Sequence, residues 1–448
     1  MGEYLADFRS RALPAALAPY FVRASSATDK DLAGVYSTVL SGVPAFDGSD
    51  GLILETATTD QIRNNSGTDA VAGTPGTDPT GWSVSLSTSG LTKSIVGTGT
   101  QDGVAYTDIR LNGTAAASSV VSVITGQVSD SPAVVGEVWT SSAFLAMPAG
   151  STNGLSALPM SGILEFDSEH SNVAGANSSS IATLTGSLQR ISYTRTLTGG
   201  TTAFIRSHVR IDVTSGQAID ITLRIGWPQM EKLPAATSPI PTTTAAVTRA
   251  LATLGSQDVP VPLTVLGLTA QPNEYSGHIA LKTLFSSSVV PHATQARAIF
   301  AMGGVSMSSR QLRVQFGTVA GSLQLFMYDG ASAYTATISG LVWAAGDVLN
   351  IRWSKGATNG LIFYVNASSA TNTTAGAKAA WSVNMYGVAL NTRMENTHAD
   401  SFGIGVYRGF NVWDRALSDA ELSALTLDSL NERVGSKYTM GLGLGLGL

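Results

Sequence analysis

The chain has 448 residues, a net charge of −5 and only 13% charged residues, about half of the roughly 25% that soluble domains usually carry. No run of Lys and Arg is present, which argues against a nucleic-acid partner because such a partner requires a basic patch. No window reaches the roughly 18 apolar residues of a transmembrane helix, so membrane insertion is not expected. Cysteine is absent, which excludes disulfides and cysteine-ligated metals.

Residues 1–46 differ in sequence pattern from the rest of the chain. Tyr4, Leu5 and Phe8 fall at helical spacing, and 29–40 forms a second candidate helix. This pattern predicts a short, partly helical N-terminal anchor that docks on another protein; the alternative is an arm packed on its own domain. Two acidic residues and two prolines among the first 20 positions make a poor signal peptide. We therefore expect assembly in the cytoplasm of the cell that makes the protein.

Residues 47–235 alternate apolar and polar side chains between turns rich in Gly, Asn, Asp and Ser, which is typical of antiparallel sandwiches. Isoleucine and valine at 205, 209 and 211 alternate with Arg206, His208 and Arg210. Strands are predicted at 82–86, 106–111, 118–124, 134–143, 162–166, 188–196, 202–213 and 218–225. We therefore interpret 47–235 as an antiparallel sandwich or barrel.

A connector rich in Pro and Thr follows at 236–248. Pro239 and Pro241 fix φ and donate no backbone hydrogen bond, so this segment is expected to be extended and outside any helix or central strand. A second set of alternating segments then covers 249–435, with strands predicted at 278–285, 298–302, 311–317, 322–328, 334–339, 348–354, 360–365 and 402–413. Ser418 and Glu421 have the S-x-x-E spacing of a capping box, which predicts a short helix after the last strand.

The C-terminal tail, 436–448, ends in GLGLGLGL. In an extended strand the four leucines lie on one face, and an isolated strand of this composition is unstable because glycine loses much conformational entropy. We expect the tail to be ordered only in a homo-oligomer; the alternative is a frayed end.

Three segments carry a family resemblance. The seam between the two sandwiches resembles the "pQlE…aTsyIPT…avTRaaD" seam of phage virion proteins, through Pro228, Gln229, Glu231, Ala236, Thr237, Ser238, Ile240, Pro241, Thr242, Val247, Thr248 and Arg249. Residues 59–66 resemble the opening of the same jelly-roll family, and 410–422 resemble the "vWnRaLsdaEl" close of laminin-G and concanavalin-like domains. The resemblance implies an all-β chain: a carbohydrate-binding-module-like jelly roll and a laminin-G-like sandwich, both antiparallel.

The densest ionisable cluster is Glu165, Asp167, Glu169 and His170. Carboxylates on one strand face could hydrolyse glycosides or hold calcium; the alternative is a charged strand edge. No nucleophile elbow, H-E-x-x-H or phosphate loop is present. We therefore assign no catalytic residue, no metal ligand and no cofactor, and no motif supports calcium specifically.

Aromatic side chains are the more informative signal, because sugar rings stack on aromatic faces. Trp227, Trp353 and Trp413 lie among apolar strand residues and are assigned to the core. The candidates for carbohydrate binding are Trp343, Trp381, Trp82, Trp139 and Tyr106.

These observations favour a non-enzymatic structural protein of a phage virion: a fibre, spike, or decoration of the capsid or tail. It would adhere to host-surface polysaccharide, contact other virion proteins through the N-terminal arm and form a homo-oligomer, with a trimer favoured by the resemblance. Two alternatives remain, a polysaccharide depolymerase that uses 165–169 and a purely structural bracing protein.

Overall fold

The computed structural model describes residues 3–126, 131–178, 181–255, 259–269, 274–289, 297–304, 311–379, 385–391 and 405–427. Trp381 and the Gly-Leu tail lie outside these described residues. The described chain is nearly all β. Its strands in chain order are β1 (Glu3–Asp7), β2 (Phe21–Val22), β3 (Ala27–Lys30), β4 (Tyr36–Val39), β5 (Leu52–Leu54), β6 (Thr58–Asp60), β7 (Trp82–Leu86), β8 (Leu91–Gln101), β9 (Val104–Thr114), β10 (Ser119–Thr125), β11 (Ser131–Pro132), β12 (Val138–Gly150), β13 (Met160–Phe166), β14 (Asn172–Ser178), β15 (Gln189–Thr196), β16 (Phe204–Val213), β17 (Ala218–Glu231), β18 (Val247–Arg249), β19 (Thr253–Leu254), β20 (Val261–Pro262), β21 (Tyr275–Thr283), β22 (Arg297–Gly304), β23 (Gln311–Phe316), β24 (Leu323–Tyr328), β25 (Ala333–Ile338), β26 (Val348–Gly356), β27 (Gly360–Val365), β28 (Ser368–Asn372), β29 (Met385–Leu390) and β30 (Gly405–Trp413).

Helices are short: a 3₁₀ turn at Ala18–Tyr20, α1 at Ala375–Lys378 and α2 at Asp419–Ala424. Within the described ranges, no helix is long and apolar enough to cross a membrane. The predicted capping box is confirmed: Ser418 accepts the backbone N–H of Glu421, whose carboxylate accepts the backbone N–H of Ser418. The local sequence fixes this helix start because both partners lie three residues apart.

The chain divides into two compact units. The first sandwich comprises Gly34–Thr38 and Ala57–Arg249, and the second comprises the described residues of Met1–Ala33, Val39–Thr56 and Ala250–Leu448. The first sandwich therefore interrupts the second in sequence.

Two antiparallel sheets form the first sandwich. One has the order β14-β13-β16-β10-β7, with β11 on β16, and the other has the order β15-β12-β17-β9-β8. Aliphatic side chains from both sheets, among them Ile109, Leu145 and Ile211, fill the space between them. The predicted alternation on β16 is confirmed, since Val209 and Ile211 are buried in this core and Ile205 is buried in a separate apolar cluster of the same sandwich. We refer below to the β15-β12-β17-β9-β8 sheet as the F sheet.

The second sandwich pairs a β1-β30-β21-β26-β27-β28 sheet, with β5 on β30, against a β2-β19-β29-β22-β23-β24-β25 sheet, with β20 on β29. Large aromatic side chains dominate its core, and the rings of Phe300 and Trp353 are 4.6 Å apart. The core assignments of Trp227, Trp353 and Trp413 are confirmed, with exposed fractions of 6%, 1% and 4%.

The two predicted N-terminal helices are wrong. Residues 3–7 form β1, which pairs antiparallel with β30, and 29–40 contributes to β3 and β4 instead of a helix. Phe8 is fully buried, with its ring 6.0 Å from that of Phe410. Pairing satisfies the backbone groups of β1 and burial removes Phe8 from water; together these tertiary contacts outweigh a weak helical spacing.

Candidate functional site

The predicted carboxylate cluster proves to be a structural contact centred on Glu165. This side chain is fully buried and accepts hydrogen bonds from Arg195 Nε (2.7 Å), Gly199 N (2.9 Å) and Thr202 Oγ1 (2.6 Å). Burial acts to raise the pKa of the carboxyl, but the hydrogen bonds from Thr202, Gly199 and Thr198 outweigh it, so the pKa is lowered. Glu165 thus fastens the 198–202 loop to β13, and its acceptor positions are occupied.

The other members of that cluster do not converge on Glu165. Asp167 accepts the backbone N–H groups of Glu169 and Ser171 and so closes a turn. Glu169 is exposed, and the ring of His170 stacks on Phe204 at 5.1 Å. Among the residues that the structure describes, no group of three His, Asp or Glu side chains could hold a metal ion.

Three of the candidate tryptophans lie in cores rather than on a binding surface. Trp343 is 5% exposed, packs against Phe285 and Phe316, and donates its indole N–H to Phe285 O at 2.8 Å. Trp139 is 3% exposed and donates to Glu137 Oε2 at 2.9 Å. Burial leaves neither ring a free face for a sugar, although the loop-like sequence around Trp343 suggested exposure.

Trp82 is also buried, at 6% exposure, and donates to Asn64 O at 2.8 Å. It nevertheless borders a cleft of about 150 Å³, which is also lined by Arg63, Asp69 and Thr80. This volume is below the roughly 300 Å³ at which ligand pockets usually begin. The cleft is therefore a weaker candidate than an open binding face.

Hydrogen bonds hold the seam that carries the family resemblance against the rest of the first sandwich. Asn65 donates to Ile240 O and to Asp60, and accepts the backbone N–H of Thr242 at 2.7 Å. Gln229 accepts the backbone N–H of Ile240 at 2.8 Å. These bonds tie the connector to the end of β17 and to the 60–66 loop. Residues 236–246 of the predicted connector contain neither helix nor strand, whereas its last two residues, 247 and 248, belong to β18.

Two buried carboxylates belong to the same hydrogen-bond network. Asp60 is fully buried and accepts the backbone N–H groups of Ile62 and Met230, and burial raises its pKa well above the usual value. Burial also raises the pKa of Glu231, which accepts the backbone N–H of Thr237. The seam motif therefore has a structural explanation within the first sandwich.

Tyr106 is the one described candidate that lies on an open sheet face. It is partly buried on β9, where Tyr106, Asp108, Arg110 and Asn112 alternate with the core residues Ile109 and Leu111. Alternate residues of a strand lie on one face, about 6.8 Å apart. The polar side chains of β9 therefore form a ladder on the outer face of the F sheet.

Neighbouring strands complete this ladder with two ion pairs. Arg224 of β17 binds Asp108 through Nε and Nη2, at 2.9 and 2.8 Å, and its Nη1 donates to Gln101 Oε1 at 2.7 Å. Arg110 binds Asp220 in the same two-pronged manner, with both distances 2.8 Å. The Arg224 guanidinium carbon lies 3.5 Å from the centre of the Tyr106 ring.

The hydrogen bonds favour the charged forms of Asp220 and Arg224. The hydrogen bond from Arg110 lowers the pKa of Asp220, and the hydrogen bond to Asp108 raises the pKa of Arg224. The inner pair is sheltered, with side-chain exposures of 15% for Arg224 and 12% for Asp108. The outer pair is open, with 45% for Arg110 and 53% for Asp220.

Gly97 on β8 leaves open space beside the ladder, whereas Gly99 accommodates the Tyr106 side chain. Gly97 pairs with Asp108, and Gly99 pairs with Tyr106. A β-carbon at Gly97 would have no other atom within 4 Å, so open space lies over that position. The Tyr106 hydroxyl lies over Gly99, where a β-carbon would approach it to 2.6 Å. We call the outer face formed by Gln101, Tyr106, Asp108, Arg110, Asn112, Asp220 and Arg224 the Tyr106 face.

Of the residues on this face, only Tyr106 was predicted from the sequence as a binding residue. The alternation of Tyr106, Asp108, Arg110 and Asn112 was visible in the sequence as a period of two. The partners Asp220 and Arg224, more than 100 residues further along the chain, become neighbours only through the pairing of β9 with β17.

No protein-family model matches this chain, and no curated protein matches its sequence. Among solved structures, the CBM40 module of the Ruminococcus gnavus IT-sialidase, bound to alpha2,3 sialyllactose, is 17% identical over 35% of this chain and 82% of that module, with a TM-score of 0.27. The LG4-5 domains of the mouse laminin alpha1 chain are 10% identical over 74% of this chain and 96% of theirs, with a TM-score of 0.25.

The tripod from the baseplate of bacteriophage Tuc2009 is 11% identical over 77% of this chain and 99% of its own, with a TM-score of 0.28. TM-scores of this size do not establish a shared fold.

Proposed function

We propose that this chain is a non-catalytic glycan-binding protein and that the Tyr106 face is its binding surface. The observation that carries the proposal is a ladder of hydrogen-bonding side chains beside an aromatic ring, on a sheet face whose neighbouring strand presents glycines. Sugars offer hydroxyls that both donate and accept hydrogen bonds. The guanidinium and carboxylate groups supply donors and acceptors, and the Tyr106 ring, with the Arg224 guanidinium carbon 3.5 Å from its centre, holds that guanidinium in position.

The proposed setting is a phage virion, in which the protein serves as a fibre, a spike, or a decoration of the capsid or tail and adheres to host-surface polysaccharide. The seam and residues 59–66 support this setting by their resemblance to phage virion proteins. Assembly as a trimer belongs to the same proposal. The proposed attachment to other virion proteins is through 1–46, in which β1 pairs with β30 and lies at the edge of its sheet.

The depolymerase alternative receives no support from the contacts of Glu165. A general acid or nucleophile has to reach the sugar, whereas Glu165 is fully buried and bound to the 198–202 loop. A purely structural bracing protein is the alternative that a binding experiment has to exclude.

Glycan-array binding of the purified full chain tests the proposal. We expect the wild type to bind a subset of glycans and Tyr106→Ala to weaken that binding by about fivefold, because it removes the ring on which Arg224 stacks and a cation–π contact contributes on the order of 1 kcal/mol. Phe204→Ala is the matched control, because it removes a partly buried ring from the opposite sheet. A wild type that binds no glycan, or equal losses in both variants, would refute the proposal.

A further inference from the structure

The charges of the Tyr106 face cancel in pairs. Asp108 and Asp220 carry two negative charges, and Arg110 and Arg224 carry two positive charges. Each arginine spans both oxygens of its aspartate, which is the strongest geometry for this kind of pair. The face thus presents a locally neutral but strongly polar surface.

Hydrogen-bonding capacity remains after the pairs have formed. Arginine has five N–H donors, and Arg110 uses two of them on Asp220, so three are left among its described contacts. Arg224 uses three, on Asp108 and Gln101, and also makes a hydrogen bond with Tyr106, so it retains less capacity than Arg110. A carboxylate offers about four acceptor positions, and Asp108 receives two hydrogen bonds from Arg224. Unused donors and acceptors therefore lie side by side.

Two adjacent hydroxyls on a sugar ring match this arrangement, because one can accept from the guanidinium while the other donates to the carboxylate. A ligand carboxylate or sulfate would accept from Arg110 or Arg224 but would also lie beside Asp108 or Asp220, where like charges repel. A cationic ligand meets the reverse problem. The ion pairs thus select against charged ligands of either sign.

We infer that the Tyr106 face binds neutral glycans through vicinal hydroxyls and discriminates against sialylated, uronate-containing or sulfated ones. This inference rests on the proposed function and specifies the ligand class of the same face. Asp108 and Asp220 act as the residues that reject acidic sugars, while Arg110 and Arg224 act as donors to hydroxyls.

The test measures binding of the full chain to pairs of oligosaccharides that differ by one acidic group, such as lactose and sialyllactose, or a neutral glucan and its uronate counterpart. We expect the wild type to prefer the neutral member of its preferred pair by about tenfold or more, because like charges placed together at an interface strongly disfavour binding. We also expect that binding to change little with salt, since no net ligand charge is screened.

Two variants assign the discrimination to this face. Asp220→Asn removes one negative charge and should reduce the neutral-to-acidic ratio, whereas Arg110→Gln removes one positive charge and should increase it. A wild type that binds the acidic member equally or better overturns the inference but leaves glycan binding intact. A preference that neither variant changes also overturns it. A wild type that binds no glycan at all overturns the proposed function itself.

Discussion

Two clusters of ionic side chains in the first sandwich use the same residue types in opposite ways. At Glu165 the carboxylate is fully buried, and protein groups from Arg195 and the 198–202 loop occupy it. On the Tyr106 face Asp220 is half exposed, and Arg110 retains unused donors. The comparison shows that access and remaining hydrogen-bonding capacity, rather than the presence of carboxylates, separate a structural cluster from a binding surface.

The largest effect should follow from removing the buried carboxylate. Glu165→Ala leaves Arg195 and the N–H groups of 198 and 199 without their acceptor, and breaking a buried pair typically costs about 3–5 kcal/mol. We expect the free energy of unfolding of the first sandwich, measured by urea denaturation, to fall by that amount. Glu169→Ala is the control because Glu169 is exposed. Equal midpoints for the two variants would show that the Glu165 contacts contribute little.

A second buried group gives the first sandwich a pH dependence. His208 is 2% exposed on β16, and its Nε2 has no hydrogen-bond partner among the described residues. Burial, reinforced by Arg210 and opposed by Asp212, lowers its pKa to about 4. The unfolded chain binds this proton near pH 6.5, so the stability contributed by neutral His208 is present above pH 6.5. It is lost as the pH falls toward 4.

The loss should approach about 3 kcal/mol, at roughly 1.4 kcal/mol per pKa unit. Unfolding of the wild type and of His208→Gln, measured from pH 7 to pH 4, isolates this contribution. The comparison is needed because raised pKa values at Asp60 and Glu231 act in the opposite direction. The control His170→Gln replaces an exposed histidine. If His208→Gln retains the pH dependence of the wild type, His208 is not its source.

A smaller loss of stability is expected from removing the exposed helix cap at Ser418, whose hydrogen bonds join residues only three positions apart. Ser418→Ala removes the N-cap of α2 and should destabilise the second sandwich by about 1 kcal/mol. Ser423→Ala in the same helix is the control, since the Ser423 hydroxyl donates only to the backbone carbonyl of Ala420 within the helix. A thermal midpoint for Ser418→Ala equal to that of Ser423→Ala would contradict a stabilising role for the cap.

The smallest change in stability should come from the open ion pair. Arg110→Ala and Asp220→Ala remove partners that water replaces readily, so the unfolding midpoint of the first sandwich should barely move. Glycan binding should nevertheless fall, because the same groups are proposed to contact the sugar. A large loss of stability without loss of binding would make this pair structural, like Glu165, and would remove the distinction between the two clusters.

Local patterns in the sequence determined the all-β class, most strand positions and the helix cap at Ser418, because each depends on residues a few positions apart. The seam was recognisable, but its role in fastening the connector through Asn65 and Gln229 was not. Tertiary structure alone decided three further points. It made β1 a strand of the second sandwich, buried Trp82, Trp139 and Trp343, and brought Arg224 and Asp220 beside β9. In each case the deciding energy comes from a partner distant in sequence, through strand pairing or burial, and no local pattern encodes it.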